Sequence, residues 1–303
     1  MRKSVSWTVG NRSPVADKMM IHGWDFGGDG KPLALLHHAN GFCGGTWSLV
    51  AAELTSHYHV FAVDARGHGD SDAGVVPDDY DWEYFVDDLT AVAGQLLARH
   101  HQDSIAYGIG SSFGGIITAA AEARTPGLFR RVALLDPPIH PVTHLIERFG
   151  LDIEAVDPRQ GQLIQQTLKR RVNWPSLDEP RNSWAGRGLF ANWSTQAFEV
   201  YLAECLAVEE DGSARLRCDP RLEAHIFETT GSLDALSFAP RVQAPVLYAR
   251  AATGHIPADY CRRIADLFPH GTYAEIKGGH LLPLESPEAS SERLLEFAAG
   301  GSI

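Results

Sequence analysis

The chain is short of cysteine, of positive charge and of long apolar runs, and each shortage removes a class of protein. Four cysteines, Cys43, Cys205, Cys218 and Cys261, are spread over 303 residues with no Cys-x-x-Cys spacing. Neither a disulfide framework nor a zinc site is built that way. Lysine and arginine number 26 against 38 aspartates and glutamates, a formal net charge of -12. Nucleic acid and anionic membrane would be repelled by that balance, whereas a small neutral substrate would not. No apolar run approaches the roughly 20 residues of a membrane span. The opening MRKSVSWTVGNRSPVADK lacks the apolar stretch of a secretory signal. The expectation is a cytoplasmic, reduced protein, monomer or homodimer, that takes a small-molecule substrate with no metal or organic cofactor.

What is present is an alternation. KPLALLHH (31–38), YHVFAVD (58–64), SIAYGIG (104–110) and RRVALLD (130–136) are near-continuously apolar, as parallel strands buried on both faces are. TWSLVAAELTS and DWEYFVDDLTAVAGQLLARHH lie between them with apolar residues at helical spacing, Asp81 capping the second. Strand, helix, strand, helix predicts an α/β fold with a mostly parallel, doubly wound sheet. The rhythm breaks at LLDPPIHP, and about a hundred residues follow with helical patches and no obvious strand. It resumes at APVLYAR (244–250), with a helix, the strand TYAEIKG and a last helix behind it. Residues 1–138 and 239–303 therefore read as one core, and 139–238 as an inserted helical cap.

Chemistry concentrates in three loops. GIGSSFGG places Gly110-Ser111-Ser112-Phe113-Gly114, a G-x-S-x-G match, between a buried strand and a helix. A serine exposed on so sharp a turn needs small flanking residues, which makes Ser112 the nucleophile candidate. A phosphate site at the same helix start is disfavoured, since neither a P-loop lysine nor G-x-G-x-x-G spacing is met. HHANGFCGGTW follows an apolar strand, and its glycines could turn a backbone N–H toward Ser112. The amides of Phe42 and Phe113 are the candidate oxyanion donors. GGHLLPLESPE sets His280 after a strand on a flexible loop, where it could act as general base, with His38 and His255 as rivals. Asp64 and Arg66 of DARGHGDSD read as braces of a turn whose geometry Gly67 and Gly69 supply, and neither they nor Asp70 is counted in the site.

Taken together, HANGF, DARGHGDSD, GSSFGG and GGHLLPLESPE resemble the α/β-hydrolase fold superfamily in its capped serine-hydrolase branch. The resemblance implies a carboxylate on the loop after the strand that follows the cap. That loop reads Ala251-Ala252-Thr253-Gly254-His255 and holds no acid; Thr253 offers a hydroxyl without a full charge. Some members of the superfamily carry the acid one strand earlier. There ALLDPPIH presents Asp136 at the end of an apolar strand, in the crevice where such sheets bind ligands. Asp136 is the expected acid and Asp234 its rival.

The expected function is a serine hydrolase that opens a carboxylic ester or lactone through an acyl-enzyme. The alternatives are hydrolysis of a carbon–carbon bond in a 1,3-dicarbonyl-type substrate and a non-catalytic ligand-binding protein of the same fold. Trp174, Trp184 and Trp193 in the cap are the expected pocket walls for an apolar or aromatic acyl group, and NWPSLDEPRNSWAGRG is the section expected to act as a lid.

Overall fold

A computed structural model describes residues 2–11, 17–74, 77–139, 160–230 and 232–300. The chain begins with an antiparallel pair that the sequence reading does not anticipate, β1 (Lys3–Gly10) and β2 (Lys18–Gly27). In β1 the alternation is plain once the partner is known, since Trp7 and Val9 are buried and their neighbours exposed. The four expected strands then appear as β3 (Leu33–His37), β4 (His59–Val63), β5 (Tyr107–Ser111) and β6 (Val132–Leu135), buried throughout. Helices α1 (Ser48–Leu54), α2 (Trp82–His100) and α3 (Phe113–Arg124) connect them. The Asp81 side chain caps α2 by accepting from the Glu83 amide.

Between β6 and the next core strand lie α4 (Gln160–Leu168), α5 (Asp178–Trp184), α6 (Thr195–Cys205) and α7 (Pro220–Glu228). They are joined by a small antiparallel sheet that corrects the all-helical expectation. It is made of β7 (Asn173–Trp174), β8 (Leu206–Val208) and β9 (Ala214–Leu216), in the order β7-β9-β8. Strands of two or three residues are too short to show a period, so helical patches dominate the pattern. The expected helix around THLIERF lies outside the described residues.

After α8 (Ala235–Phe238) the core resumes with β10 (Val246–Ala251), α9 (Ala258–Ala265), β11 (Gly271–Ile276), α10 (Leu282–Glu285) and α11 (Pro287–Ala298). One eight-stranded sheet results, ordered β1-β2-β4-β3-β5-β6-β10-β11 and parallel from β4 onward. Apolar clusters fill both of its faces. A third joins Ala39, Phe42 and Leu281 of the core loops to Trp174, Phe190 and Tyr201 of the inserted segment. This contact seats the segment over the loops that follow β3 and β11. Among the described residues no helix is long and apolar enough to cross a membrane.

Candidate active site

The turn from β5 into α3 puts Ser112 at φ 53° and ψ -121°, a conformation a β-carbon strongly disfavours. Its neighbours permit that geometry. A Cβ on Gly110 would stand 2.2 Å from the Gly114 carbonyl oxygen, and one on Gly114 would stand 2.4 Å from that of His37. The Ser112 amide donates to the Leu135 carbonyl at 2.8 Å, tying the turn to the end of β6. Next along the chain is Asp136, at φ 46°, with its amide donating to Ala249 at 2.7 Å. Its side chain is almost wholly buried at 2% exposure, and Oδ1 accepts the Ala251 N–H at 2.8 Å.

His280 completes an unbroken chain of hydrogen bonds. The Ser112 hydroxyl donates to Nε2 at 2.8 Å, and Nδ1–H donates to Asp136 Oδ2 at 2.7 Å. The two loops that the sequence reading separates, one before and one after the inserted segment, therefore meet. Their rivals stand elsewhere. Asp234 accepts from the Ser237 amide as a helix cap, and Thr253 donates to the Gly278 carbonyl. His38 is buried, donating from Nδ1 to Ala39 and accepting the Ala65 N–H on Nε2. His255 faces the cavity beside His280, their ring centres 5.8 Å apart. Asp64 braces its turn as expected, accepting the amides of Gly44 and Asp70 and the His22 Nδ1–H. Arg66 makes a two-pronged buried pair with Asp88, and Asp70 pairs with Arg217 outside the site.

Two expectations need correction. The Phe42 amide is committed to a turn, donating to the Ala39 carbonyl at 3.1 Å. Among the described residues the amides of Asn40 and Phe113 have no hydrogen-bond partner, and Asn40 borders the same cavity as Ser112. The tryptophans do not line that cavity. Trp174 packs edge-on against Trp184 at 5.1 Å, Trp184 stacks on Phe190 at 5.5 Å, and Trp193 meets Phe190 at 5.0 Å. They pack the segment's own aromatic cluster, which also rests on Phe42 of the core loops, Trp193 meeting that ring at 6.5 Å.

The cavity measures about 540 Å³ and opens onto Ser112 and His280. Phe42, Leu163, Leu189 and Phe227 give it apolar walls, and Asn40, Gln162, Gln166 and Thr230 give it polar ones. Glu223 of α7 also reaches it, paired with Arg170, whose other amino group donates to the Tyr201 hydroxyl at 3.1 Å. Burial pushes the Glu223 carboxyl up from its ordinary range, against the pull of Arg170. The Glu223 backbone carbonyl accepts the Asn40 side-chain N–H at 2.9 Å. A Cβ on Gly41, at φ 80°, would stand 2.6 Å from the Glu223 carboxyl carbon, so only glycine lets α7 approach this closely.

Beneath the loop lie three buried imidazoles that sequence reasoning missed as a group. His37 donates to the His38 carbonyl, His38 links Ala39 to Ala65, and His68 accepts the Gly41 N–H while donating to the Arg66 carbonyl. Desolvation lowers His37 and His68 to about 4 and His38 well below its usual value. They are neutral struts that tie the HANGF loop to the DARGHGDSD turn.

A strained serine on a strand-to-helix turn, a histidine from the far side of the sheet and a carboxylate at a neighbouring strand end define an α/β-hydrolase. The chain belongs to the alpha/beta hydrolase family, whose model matches residues 34–293. It is 34% identical over 243 residues to the N-formylmaleamate deformylase of Pseudomonas putida, covering 78% of each chain. It is 26% identical over 179 residues to the (E)-2-((N-methylformamido)methylene)succinate hydrolase of Acinetobacter baylyi, 58% of each, so the match spans under two thirds of that relative. In fold it is similar to the crystal structure of E-2-(acetamidomethylene)succinate hydrolase, with TM-score 0.76 and 20% identity over 98% of this chain and 100% of that one.

Proposed function

We propose that this chain is a serine hydrolase that opens a carboxylic ester or lactone through an acyl-enzyme. The observation that carries the reading is the continuous Ser112–His280–Asp136 relay facing a cavity large enough for a small substrate. Ser112 Oγ attacks the carbonyl carbon while His280 Nε2 takes its proton. Asp136 holds the ring in the tautomer that leaves Nε2 open and stabilises the imidazolium. The negative charge on the tetrahedral oxygen is received by the Phe113 amide and, in place of Phe42, the Asn40 amide. His280 then returns the proton to the leaving group, and water repeats the sequence on the acyl-enzyme. Residues 139–238 serve as the cap that shapes the cavity, with specificity set by Leu163, Gln166, Leu189 and Phe227 rather than by the tryptophans.

A second reading keeps the same machinery and changes the bond. The names of the Pseudomonas and Acinetobacter relatives describe a deformylase and a succinate-type hydrolase. The amide side chains of Gln162 and Gln166 around the cavity suit a polar, oxygen-rich substrate, cleaved at a carbon–nitrogen or carbon–carbon bond. A purely ligand-binding role is disfavoured, because such a protein has no need of a strained serine bonded to a histidine. Fluorophosphonate labelling of Ser112, absent in Ser112→Ala, tests the hydrolase reading. Release of acid from a panel of aryl, alkyl and lactone esters and N-formyl amides then decides the bond. Absence of labelling in the native protein would overturn the proposal.

A further inference from the structure

The loop after β10, where an acid is expected and none stands, is bonded to both halves of the relay. On one side Ala251 donates its N–H to Asp136 Oδ1 at 2.8 Å, and a Cβ on Gly254 would stand 3.2 Å from Asp136 Oδ2. On the other, Ala252 N–H donates to Ile276 at 2.8 Å, and Thr253 donates twice to the Gly278 carbonyl, from N–H at 3.0 Å and from Oγ1 at 2.8 Å. Gly278 lies two residues before His280 in a Gly-Gly pair and takes φ 141°, a backbone with little stiffness of its own. The far side of the histidine is held by Glu285, whose carboxylate accepts the amides of Gly279 at 3.0 Å and Leu281 at 3.1 Å. Thr253 supplies the matching hold on the near side.

The loop is in turn braced from below. Arg250 is buried, and a buried guanidinium is costly unless its N–H groups are met. They are met by carbonyls of this one loop: Nε donates to Ile256 at 2.7 Å, Nη2 to Gly254 at 3.1 Å and Nη1 to Ala252 at 3.3 Å. The nearest carboxylate, Glu275, stands 3.9 Å from Nη1, beyond hydrogen-bond range. The charge is thus spent on the shape of the loop.

We propose that this loop is a bridge that sets the distance between Asp136 and His280, with Arg250 and Thr253 as positioning residues. The inference rests on the hydrolase reading above. The acid stands at the end of β6, and the turn out of β10 holds it by the Ala251 amide and holds the histidine loop by Thr253. Neither Arg250 nor Thr253 touches the reacting atoms. Both act through the alignment of the Nδ1–H bond, so their loss slows chemistry without weakening ligand capture.

The test uses the full chain and a fluorophosphonate probe, with inactivation resolved into kinact and KI. Thr253 is exposed, so Thr253→Val removes only the hydroxyl bond; kinact falls on the order of tenfold with KI unchanged. Thr253→Ser restores it, and Arg250→Met lowers kinact further. The low-field proton resonance of the His280 Nδ1–H shifts or broadens in Thr253→Val and returns in Thr253→Ser. A folded Thr253→Val with native kinact and an unmoved resonance overturns the proposal, whether or not Arg250→Met folds. Ser112→Ala separates the two levels: if it still labels, the hydrolase reading itself fails.

Discussion

His280 Nδ1 and Asp136 Oδ2 lie 2.7 Å apart although 144 positions separate them in the chain. The buried Asp136 carboxylate gives one oxygen to the Ala251 amide and the other to His280, so an amide in its place reads on the histidine. Asp136→Asn should lower the rate of acylation by on the order of a thousandfold or more, because the amide favours the wrong imidazole tautomer. Asp234→Asn should leave that rate unchanged. Steady-state kinetics on any ester the protein accepts checks both; near-native turnover in Asp136→Asn would remove Asp136 from the relay.

The serine turn makes a graded prediction about its glycines. A Cβ on Gly110 would meet backbone atoms of Gly114 and Gly115 at 2.2 to 2.5 Å, and none of these can move without unmaking the helix start. Gly115 is roomier, its nearest contacts being the Gly110 carbonyl oxygen at 3.2 Å and Pro137 Cβ at 3.3 Å. Gly110→Ala should abolish soluble, native protein, whereas Gly115→Ala should fold with a loss of about 1 to 3 kcal/mol. Thermal denaturation of the two variants distinguishes them, and equal melting temperatures would show the turn to be softer than its geometry.

The three neutral histidines under the HANGF loop set a pH dependence. His37 and His68 are lowered to about 4 in the folded protein from the 6.5 of an exposed ring, so between these values the unfolded chain binds more protons. Stability therefore rises with pH through this window and is progressively lost as pH falls from 6.5 toward 4. Urea midpoints measured at pH 7.5, 6 and 5 should decrease in that order. A flat series would mean that the imidazoles are wetter than their burial suggests.

The aromatic cluster of the inserted segment should behave as packing. Trp174→Ala is expected to cost about 3 to 5 kcal/mol in stability and to leave KM for small esters nearly unchanged. Phe227→Ala, on the cavity wall, should do the reverse. A large rise in KM for Trp174→Ala without loss of stability would return the tryptophans to the pocket.

Much of the architecture was legible because parallel strands such as LALLH and HVFAV are buried on both faces and announce themselves as apolar runs. That Ser112, His280 and Asp136 come together was legible for a related reason: each stands where a strand ends near glycine or proline. The opening hairpin was obscured because Trp7 and Val9 alternate with exposed residues, a weaker signal than a continuous apolar run. Trp184 and Trp193 were misread because composition reports that rings are present and not which rings they bury against. The choice between Phe42 and Asn40 could not be made from sequence at all. It depends on which amide the turn at Gly41 leaves unbonded, and there the Phe42 amide is taken by the Ala39 carbonyl.

The order of strands across the sheet bears on when the protein becomes competent. Ser112 and Asp136 sit on neighbouring strand ends, β5 and β6, and both belong to the part of the chain made first. His280, the proposed base, arrives only when β10 and β11 have added to the open edge of β6, after the whole inserted segment has been synthesised. On the proposed mechanism, a nascent or truncated chain that stops short of this edge carries Ser112 and Asp136 with nothing to pass a proton between them. Completion of the sheet and the onset of reactivity are then one event, and a serine-directed probe would report on folding as faithfully as on chemistry.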